Sequence, residues 1–113
     1  MVGRENRLRG QGAFQSLRRR GRRWSNHLLV LLALPRGDGG NRYGFAVSRR
    51  VGKAVTRNRV KRWLREGVRN FPLEGGWDML FIVRPPAAGG DFHIVREAMA
   101  DLLRRGHFIR EDQ

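Results

Sequence analysis

Two short apolar runs, each closed by proline, limit what this chain can fold into. Residues 27–34 are almost entirely apolar and stop at Pro35, and a second run at residues 78–84 stops at Pro85 and Pro86. Runs of this length favour buried strands, although the leucine-rich composition of the first keeps a helix as an alternative. Neither approaches the roughly 20 residues that a membrane-spanning helix needs. The sequence therefore predicts a small sheet in a soluble chain, with the second run as a central strand.

A third strand is predicted at residues 42–48, where large and small side chains alternate. The large ones are Tyr43, Phe45 and Val47, and the small ones are Gly44, Ala46 and Ser48. Because successive residues of a strand point to opposite faces, one face is nearly flat and leaves a floor for a helix of this chain or for a ligand. The turn-forming residues 35–41 precede this strand, so we expect an antiparallel hairpin with the first apolar run.

Apolar periodicity predicts helices at both ends of the chain. The first spans residues 11–20 and ends at Gly21, and the last runs from an N-cap at Asp91 to Arg105. The apolar stripe of the last helix is predicted to be core and consists of Ile94, Val95, Ala98, Met99, Leu102 and Leu103.

A middle helix is predicted from Thr56, its N-cap, to about Phe71, because Pro72 prevents its continuation. Its two sides differ in character, with an apolar side of Val60, Trp63, Leu64, Val68 and Phe71 and a basic side of Arg57, Lys61, Arg62, Arg65 and Arg69. The resulting order, α-β-β-α-β-α, indicates an α+β fold in which a single domain covers residues 1–113.

The net charge narrows the class of partner. The 113 residues carry 24 Lys+Arg against 10 Asp+Glu, a formal charge of +14 at pH 7. Nucleic acids are the abundant polyanions of a cytoplasm, so they are the expected partner, and an anionic membrane surface is the weaker competitor. Cysteine is absent, which excludes disulfides, thiolate zinc sites and thiol nucleophiles. These features predict a cytoplasmic protein.

The sequence offers no catalytic group set of its own. A metal-dependent nuclease needs clustered carboxylates, whereas the acids here are scattered and only Glu97 and Asp101 share a helix face. The three histidines lie in unrelated segments without a neighbouring ligand or nucleophile. We therefore predict no catalytic residue and no metal site in the protein, which disfavours a self-sufficient protein nuclease.

The strongest functional signal is the basic segment at residues 48–66. Eight of its residues are basic and one is acidic. The segment leads from the end of a predicted strand through a glycine-containing loop onto the first turns of a helix. Because a helix N-terminus carries partial positive charge, it adds to the field of these side chains, and the arrangement suits a phosphodiester backbone.

These residues resemble the signature of the bacterial ribonuclease P protein component. Arg57-Asn58-Arg59, between residues 51–55 and 60–66, carries the resemblance, and further matches occur at Phe14-Gln15, Gly21, Asn26, Arg42-Tyr43-Gly44 and residues 78–85. The resemblance implies a small basic subunit of the ribonucleoprotein that removes the 5'-leader of precursor tRNA. The catalyst would be the RNA subunit, which uses Mg²⁺. It also implies a four-stranded sheet with three helices in α-β-β-α-β-β-α order, containing a left-handed β-α-β crossover that departs from the usual handedness.

The resemblance further implies two RNA-binding surfaces and no additional protein partner. The signature surface would contact ribonuclease P RNA and nearby phosphates through Arg49, Arg50, Lys53, Arg57, Asn58, Arg59, Lys61, Arg62 and Arg65. The leader cleft would hold single-stranded precursor tRNA leader against Phe14, Leu17, Arg18, Asn26, Leu32, Ala46 and Ser48. Relatives often carry aromatic residues at the positions of Arg18 and Leu32, which leaves Phe14 as the one expected ring. The alternative is a structural rRNA-binding protein without a processing role.

Overall fold

The computed structural model describes residues 8, 10–37 and 39–110 and contains three α-helices and a four-stranded sheet. The elements in chain order are α1 (Gln11–Arg20), β1 (Arg22–Ser25), β2 (Leu29–Pro35), β3 (Arg42–Ala46), α2 (Ala54–Val68), β4 (Trp77–Val83) and α3 (Phe92–Arg105), with a short 3-10 helix at Pro85–Gly89. The α+β class and the two apolar strands are as predicted. None of the described helices is long and apolar enough to span a membrane.

The strand order is β1-β2-β4-β3, so the predicted hairpin between the first apolar run and residues 42–48 is wrong. β2 pairs antiparallel with β4, and β3 pairs parallel with β4 on its other side. Both ends of the connection between β2 and β3 are bonded to the start of β4: the Arg36 N–H donates to the Gly76 carbonyl oxygen at 2.8 Å, and the Trp77 N–H donates to Asn41 Oδ1 at 2.8 Å. β4 is apolar on both faces and is therefore most stable between two neighbouring strands.

The fourth strand, β1, lies before the first apolar run, so the implied order with a fourth strand after α2 is also wrong. The observed order is α-β-β-β-α-β-α. β1 is an edge strand of four residues that pairs antiparallel with β2, from Arg22 opposite Ala33 to Ser25 opposite Val30. Both of its arginines are exposed, and they continue a basic run, so neither apolar alternation nor turn residues mark this strand in the sequence.

α2 connects the parallel strands β3 and β4, which gives the expected β-α-β crossover; its handedness stays a prediction. The N-cap is Lys53, three residues before the predicted cap at Thr56, and the helix ends at Val68 rather than near Phe71. Thr56 is inside the helix, where its side chain lies against Gly52; a Cβ on Gly52 would be 3.1 Å from Thr56 Cβ. Gly52 has a φ of +156°, which favours glycine at this turn.

Alternate residues of the central strands build two separate cores. Leu31, Met79 and Phe81 point toward α2 and α3 and form the larger core, whereas Leu32 and Leu80 pack against α1 through Leu17. α3 begins as predicted, because the Asp91 carboxylate accepts a hydrogen bond from the Ile94 N–H at 2.9 Å. The core prediction for α3 is wrong at Ile94, whose side chain is 46% exposed because it lies in the first turn at the edge of the buried stripe.

Candidate nucleic-acid interface

The basic segment begins in a tight loop between β3 and α2. The Val51 N–H donates to the Ser48 carbonyl oxygen at 3.1 Å, and the Gly52 N–H donates to the Arg49 carbonyl oxygen at 3.2 Å. Val51 is buried, which anchors the loop to the larger core. Arg49, Arg50 and Lys53 are exposed as a result, and they lie immediately before the N-terminus of α2.

The basic side of α2 continues this surface, as the periodicity predicted. Asn58, Arg62 and Arg65 are exposed, while Val60 and Leu64 on the other side are fully buried. Within the part of the chain that the structure describes, none of the eight basic residues of the segment forms an ion pair. The segment therefore presents its charge to an external anion.

Two arginines of the segment are held more tightly than the others. Arg57 and Arg59 are half-buried, and the Nε atom of each is buried without a hydrogen-bond acceptor among the described residues. The Arg59 guanidinium lies over the Trp63 ring, 5.4 Å from its centroid, in a cation–π contact. A buried donor without an acceptor is costly, so an acceptor from a bound partner would stabilise both side chains.

A cleft of about 270 Å³ lies where α1, β3 and α2 meet. Its lining consists of Leu8, Phe14, Tyr43, Gly44, Phe45, Lys61 and Arg65. The structure thus brings the predicted ring of Phe14 together with two cations of the signature surface. Sequence reasoning missed Leu8, Tyr43 and Phe45 as lining residues, and only the small size of Gly44 gave a signal.

Gly44 is small because α1 lies directly on it. A Cβ at Gly44 would be 3.1 Å from side-chain atoms of Leu8, Phe14 and Leu80. The flat face of β3 was predicted to hold either a helix of this chain or a ligand, and at Gly44 the structure shows the helix. The next small residue, Ala46, and its neighbour Ile82 on β4 are only half-buried.

The other predicted cleft residues are distributed over several environments. Leu17 and Leu32 are buried beneath α1, at 0% and 7% exposure, whereas Arg18 and Ser48 are exposed. Asn26 lies away from the cleft, because its amide nitrogen donates to the Ala98 carbonyl oxygen and to Asp101 Oδ2, both at 3.0 Å. Asn26 therefore fastens the β1–β2 turn to α3.

The start of β3, which carries one of the further matches of the resemblance, has a structural role. Arg42 donates two hydrogen bonds of 2.7 Å to the Asp78 carboxylate, which joins β3 to β4. Donating these hydrogen bonds to Asp78 raises the pKa of Arg42 above its ordinary value. Burial raises the pKa of the neighbouring Tyr43 hydroxyl, against a smaller opposing effect of its hydrogen bond with Asn41.

The described residues contain no group of three His, Asp or Glu side chains that could hold a metal ion. The fold and its surface instead define a small basic α+β domain in which cations that have no ion-pair partner in the described part of the chain lie beside an aromatic-lined cleft, which is the character of an RNA-binding protein. The sequence model of the family described as Ribonuclease P matches residues 2–107. The chain belongs to the ribonuclease P protein family.

Individual relatives agree with this assignment. The ribonuclease P protein component of Clostridium botulinum (strain Loch Maree) is 38% identical over 104 residues, covering 89% of this chain and 94% of that protein. The solved ribonuclease P protein of Thermotoga maritima is 34% identical, with a TM-score of 0.80 over 88% of this chain and 96% of that one. The Staphylococcus aureus protein, 24% identical with a TM-score of 0.84, shares the fold. The chain accordingly has the role of a subunit of ribonuclease P, the holoenzyme that processes the 5' end of tRNA.

Proposed function

We propose that this subunit binds two RNA elements at once: ribonuclease P RNA through the signature surface, and the single-stranded leader of precursor tRNA through the cleft at Phe14. The observation that carries the proposal is the concentration of eight cations on α2 and the loop that precedes it, all without ion-pair partners in the described residues. A solvated charged surface would instead mix both signs and pair many of its cations.

The signature surface is suited to phosphate. Arginine donates through a planar fork that matches phosphate oxygens, and the exposed loop cations Arg49 and Arg50 stand before a helix N-terminus that adds positive potential. The buried Nε atoms of Arg57 and Arg59 lack acceptors among the residues described, and phosphate oxygens from RNA would supply them. Trp63 restricts the Arg59 guanidinium, which lowers the entropy lost when it binds.

The cleft is suited to single-stranded RNA. Phe14 offers a half-buried ring on which a base could stack, and Lys61 and Arg65 line the same cleft with charge for the backbone. Ring stacking and a positively charged groove are the two elements that single-strand binders combine. Leu32 is buried under α1, so it offers no surface to a base, while the exposed Arg18 can stack through its guanidinium.

Magnesium ions that act in leader removal are proposed to be held by the RNA subunit, and this chain contributes positive charge and positioning. Neutralising phosphates at the contact between the RNA subunit and precursor tRNA reduces the repulsion that magnesium otherwise screens. We further propose that the protein acts in the cytoplasm, with RNA as its partner and without a membrane or a second protein.

The test is cleavage of precursor tRNA by a cognate bacterial ribonuclease P RNA at low magnesium, with and without this protein. Substrates with long and very short leaders are compared. We expect the protein to restore cleavage, and to do so more strongly with the long leader. Restoration that is equal for both leaders would refute the leader cleft and keep the subunit role. Binding to RNA without any effect on cleavage would favour the structural rRNA-binding alternative.

A further inference from the structure

A second concentration of charge lies beyond the two surfaces described above and shares only Arg18 with the predicted leader cleft. Five arginines fall within the six residues 18–23, at the end of α1 and the start of β1. All five are exposed, and none has an ion-pair partner in the described portion of the chain. We name this cluster the arginine edge; it consists of Arg18, Arg19, Arg20, Arg22 and Arg23.

The arginine edge and the signature loop lie at opposite edges of the sheet. β1 and β3 are the two outer strands, so they are separated by three strand spacings, or about 14 Å. α1 spans this distance: near its start the Leu8 N–H donates to the Tyr43 carbonyl oxygen of β3 at 2.8 Å, and at its end Gly21 leads directly into β1. A strand of RNA lying along α1 from the cleft would therefore arrive at the arginine edge.

The edge presents cations on both faces of β1. Arg22 pairs with Ala33 and lies on the side of the larger core, where its guanidinium is 5.2 Å from the centroid of the Trp24 ring. Trp24 is itself fixed by an edge-on contact with Phe108, with ring centroids 5.2 Å apart. Arg23 pairs with Leu32 and lies on the side of α1. The face of the sheet that carries α1 thus has a cation, Arg23, at its β1 border.

Ordinary structural reasons account for only part of this cluster. Cations in the last turn of a helix interact favourably with its dipole, and charged residues on an edge strand discourage pairing between molecules. One or two arginines would serve each purpose. Five neighbouring cations without carboxylate partners among the described residues repel one another and lower the stability of the free protein, which points to a bound polyanion.

We propose that the arginine edge binds phosphates of the precursor tRNA leader upstream of the nucleotides held in the cleft. This inference rests on the proposed function, because it assumes that the leader enters the cleft at Phe14. It extends the leader-binding path along α1 to the β1 edge, and it predicts that affinity increases with leader length beyond what the cleft alone can contact.

The test compares two double variants in the assembled holoenzyme. Arg20→Gln with Arg23→Gln removes two charges from the edge, and Arg104→Gln with Arg110→Gln removes two exposed charges near the end of α3 as a matched control. Binding of precursor tRNA is measured with leaders of about 4 and about 16 nucleotides, the range of single-strand site sizes for small domains. The Phe14→Ala variant is measured in parallel.

The expected loss follows from counterion release. Each phosphate contact with a single strand is worth about 0.7 log units at 0.1 M salt, so two contacts are worth about 25-fold. The edge variant should lose this factor with the long leader only, and the single variant Arg20→Gln should lose about fivefold. The control variant should lose less than about twofold with either leader.

Three results would overturn the proposal. An unchanged affinity for the long leader would show that the edge does not contact it. An equal loss with both leaders would place the edge against the tRNA body or the ribonuclease P RNA. An equal loss of affinity in the control variant would show that the effect comes from the net charge of the protein and not from the arginine edge. If Phe14→Ala binds both substrates normally, the cleft itself fails, and that outcome is distinct from a failure of the edge alone.

Discussion

The sharpest test of the signature surface is the salt dependence of Arg57→Ala binding to ribonuclease P RNA. If each of the eight cations of residues 48–66 neutralises one phosphate of structured RNA, log K falls with log salt with a slope of about −7. The native affinity then drops about 10⁴-fold between 50 and 200 mM salt. Removing Arg57 should reduce the slope by about 0.9, so the deficit of the variant shrinks about threefold over that range. Filter-binding or fluorescence titrations at several salt concentrations measure both slopes.

Two further variants separate charge from hydrogen bonding. Arg57→Lys keeps the charge but lacks the buried Nε donor, so it should restore the native slope while leaving part of the affinity loss. Arg69→Ala is the control at the C-cap of the same helix, because Arg69 is already paired with Glu66 at 2.9 Å and lies outside the segment. A native slope for Arg57→Ala, or an equal change for Arg69→Ala, would refute the assignment of the surface.

Three other predictions concern the cleft and the core. Phe14→Ala should weaken binding of leader-bearing precursor tRNA by about 1–3 kcal/mol and leave mature tRNA binding unchanged, as measured by titration of the holoenzyme; an equal loss for mature tRNA would contradict base stacking. Gly106→Ala should lower the free energy of unfolding by about 1–3 kcal/mol in urea, because its Cβ would collide with the ring of buried Phe108, and a native midpoint would contradict this packing. Because burial raises the pKa of Tyr43 above 10.0, the stability from its neutral form is complete below pH 10 and is lost as the pH rises through the raised pKa. Raising the pH from about 8 to about 11 should therefore lower the urea midpoint more for the native protein than for Tyr43→Phe. An equal decrease in the two proteins would show that Tyr43 is not the cause.

Local signals in the sequence predicted the helices and the buried strands well. α3 has a side-chain cap at Asp91, a regular stripe and a terminal Gly106, and each of these signals depends on neighbours within one or two turns. The start of α2 was less accurate because two influences compete there. Thr56 is a good cap by residue type, but the positive φ of Gly52 turns the chain early enough for the helix to begin at Ala54.

Strand neighbours were harder to predict, because pairing is decided by distant residues. The turn at residues 35–41 does reverse the chain, since β2 and β3 run in opposite directions on either side of β4. A turn specifies this reversal, yet it does not specify whether the two strands are adjacent. β4, which is apolar on both faces, buries more surface between them than it would at an edge.

The sequence predicted the parts of the candidate site that are defined by charge, but it did not predict the parts that are defined by packing. The cations of residues 48–66 are visible as a run of charge in the sequence, and helical periodicity predicts the exposed basic side of α2. Asn26 shows the limit of this reasoning, because an amide can serve RNA or protein equally well, and here two of its bonds go to α3. The lining of the cleft by Tyr43 and Lys61 depends on where α1 crosses the sheet, which no local pattern encodes.

The alternation of β4 explains how so small a sheet can combine a stable core with an open RNA-binding face. Met79 and Phe81 contribute to the larger core under α2 and α3, whereas Leu80 and the half-buried Ile82 face α1. α1 covers its face through a single fully buried residue among those described, Leu17. Because most of the apolar burial lies on the other face, the α1 face can leave surface open beside the helix at little cost in folding free energy. The same division allows cations to gather at both ends of α1 without placing any of them in the core.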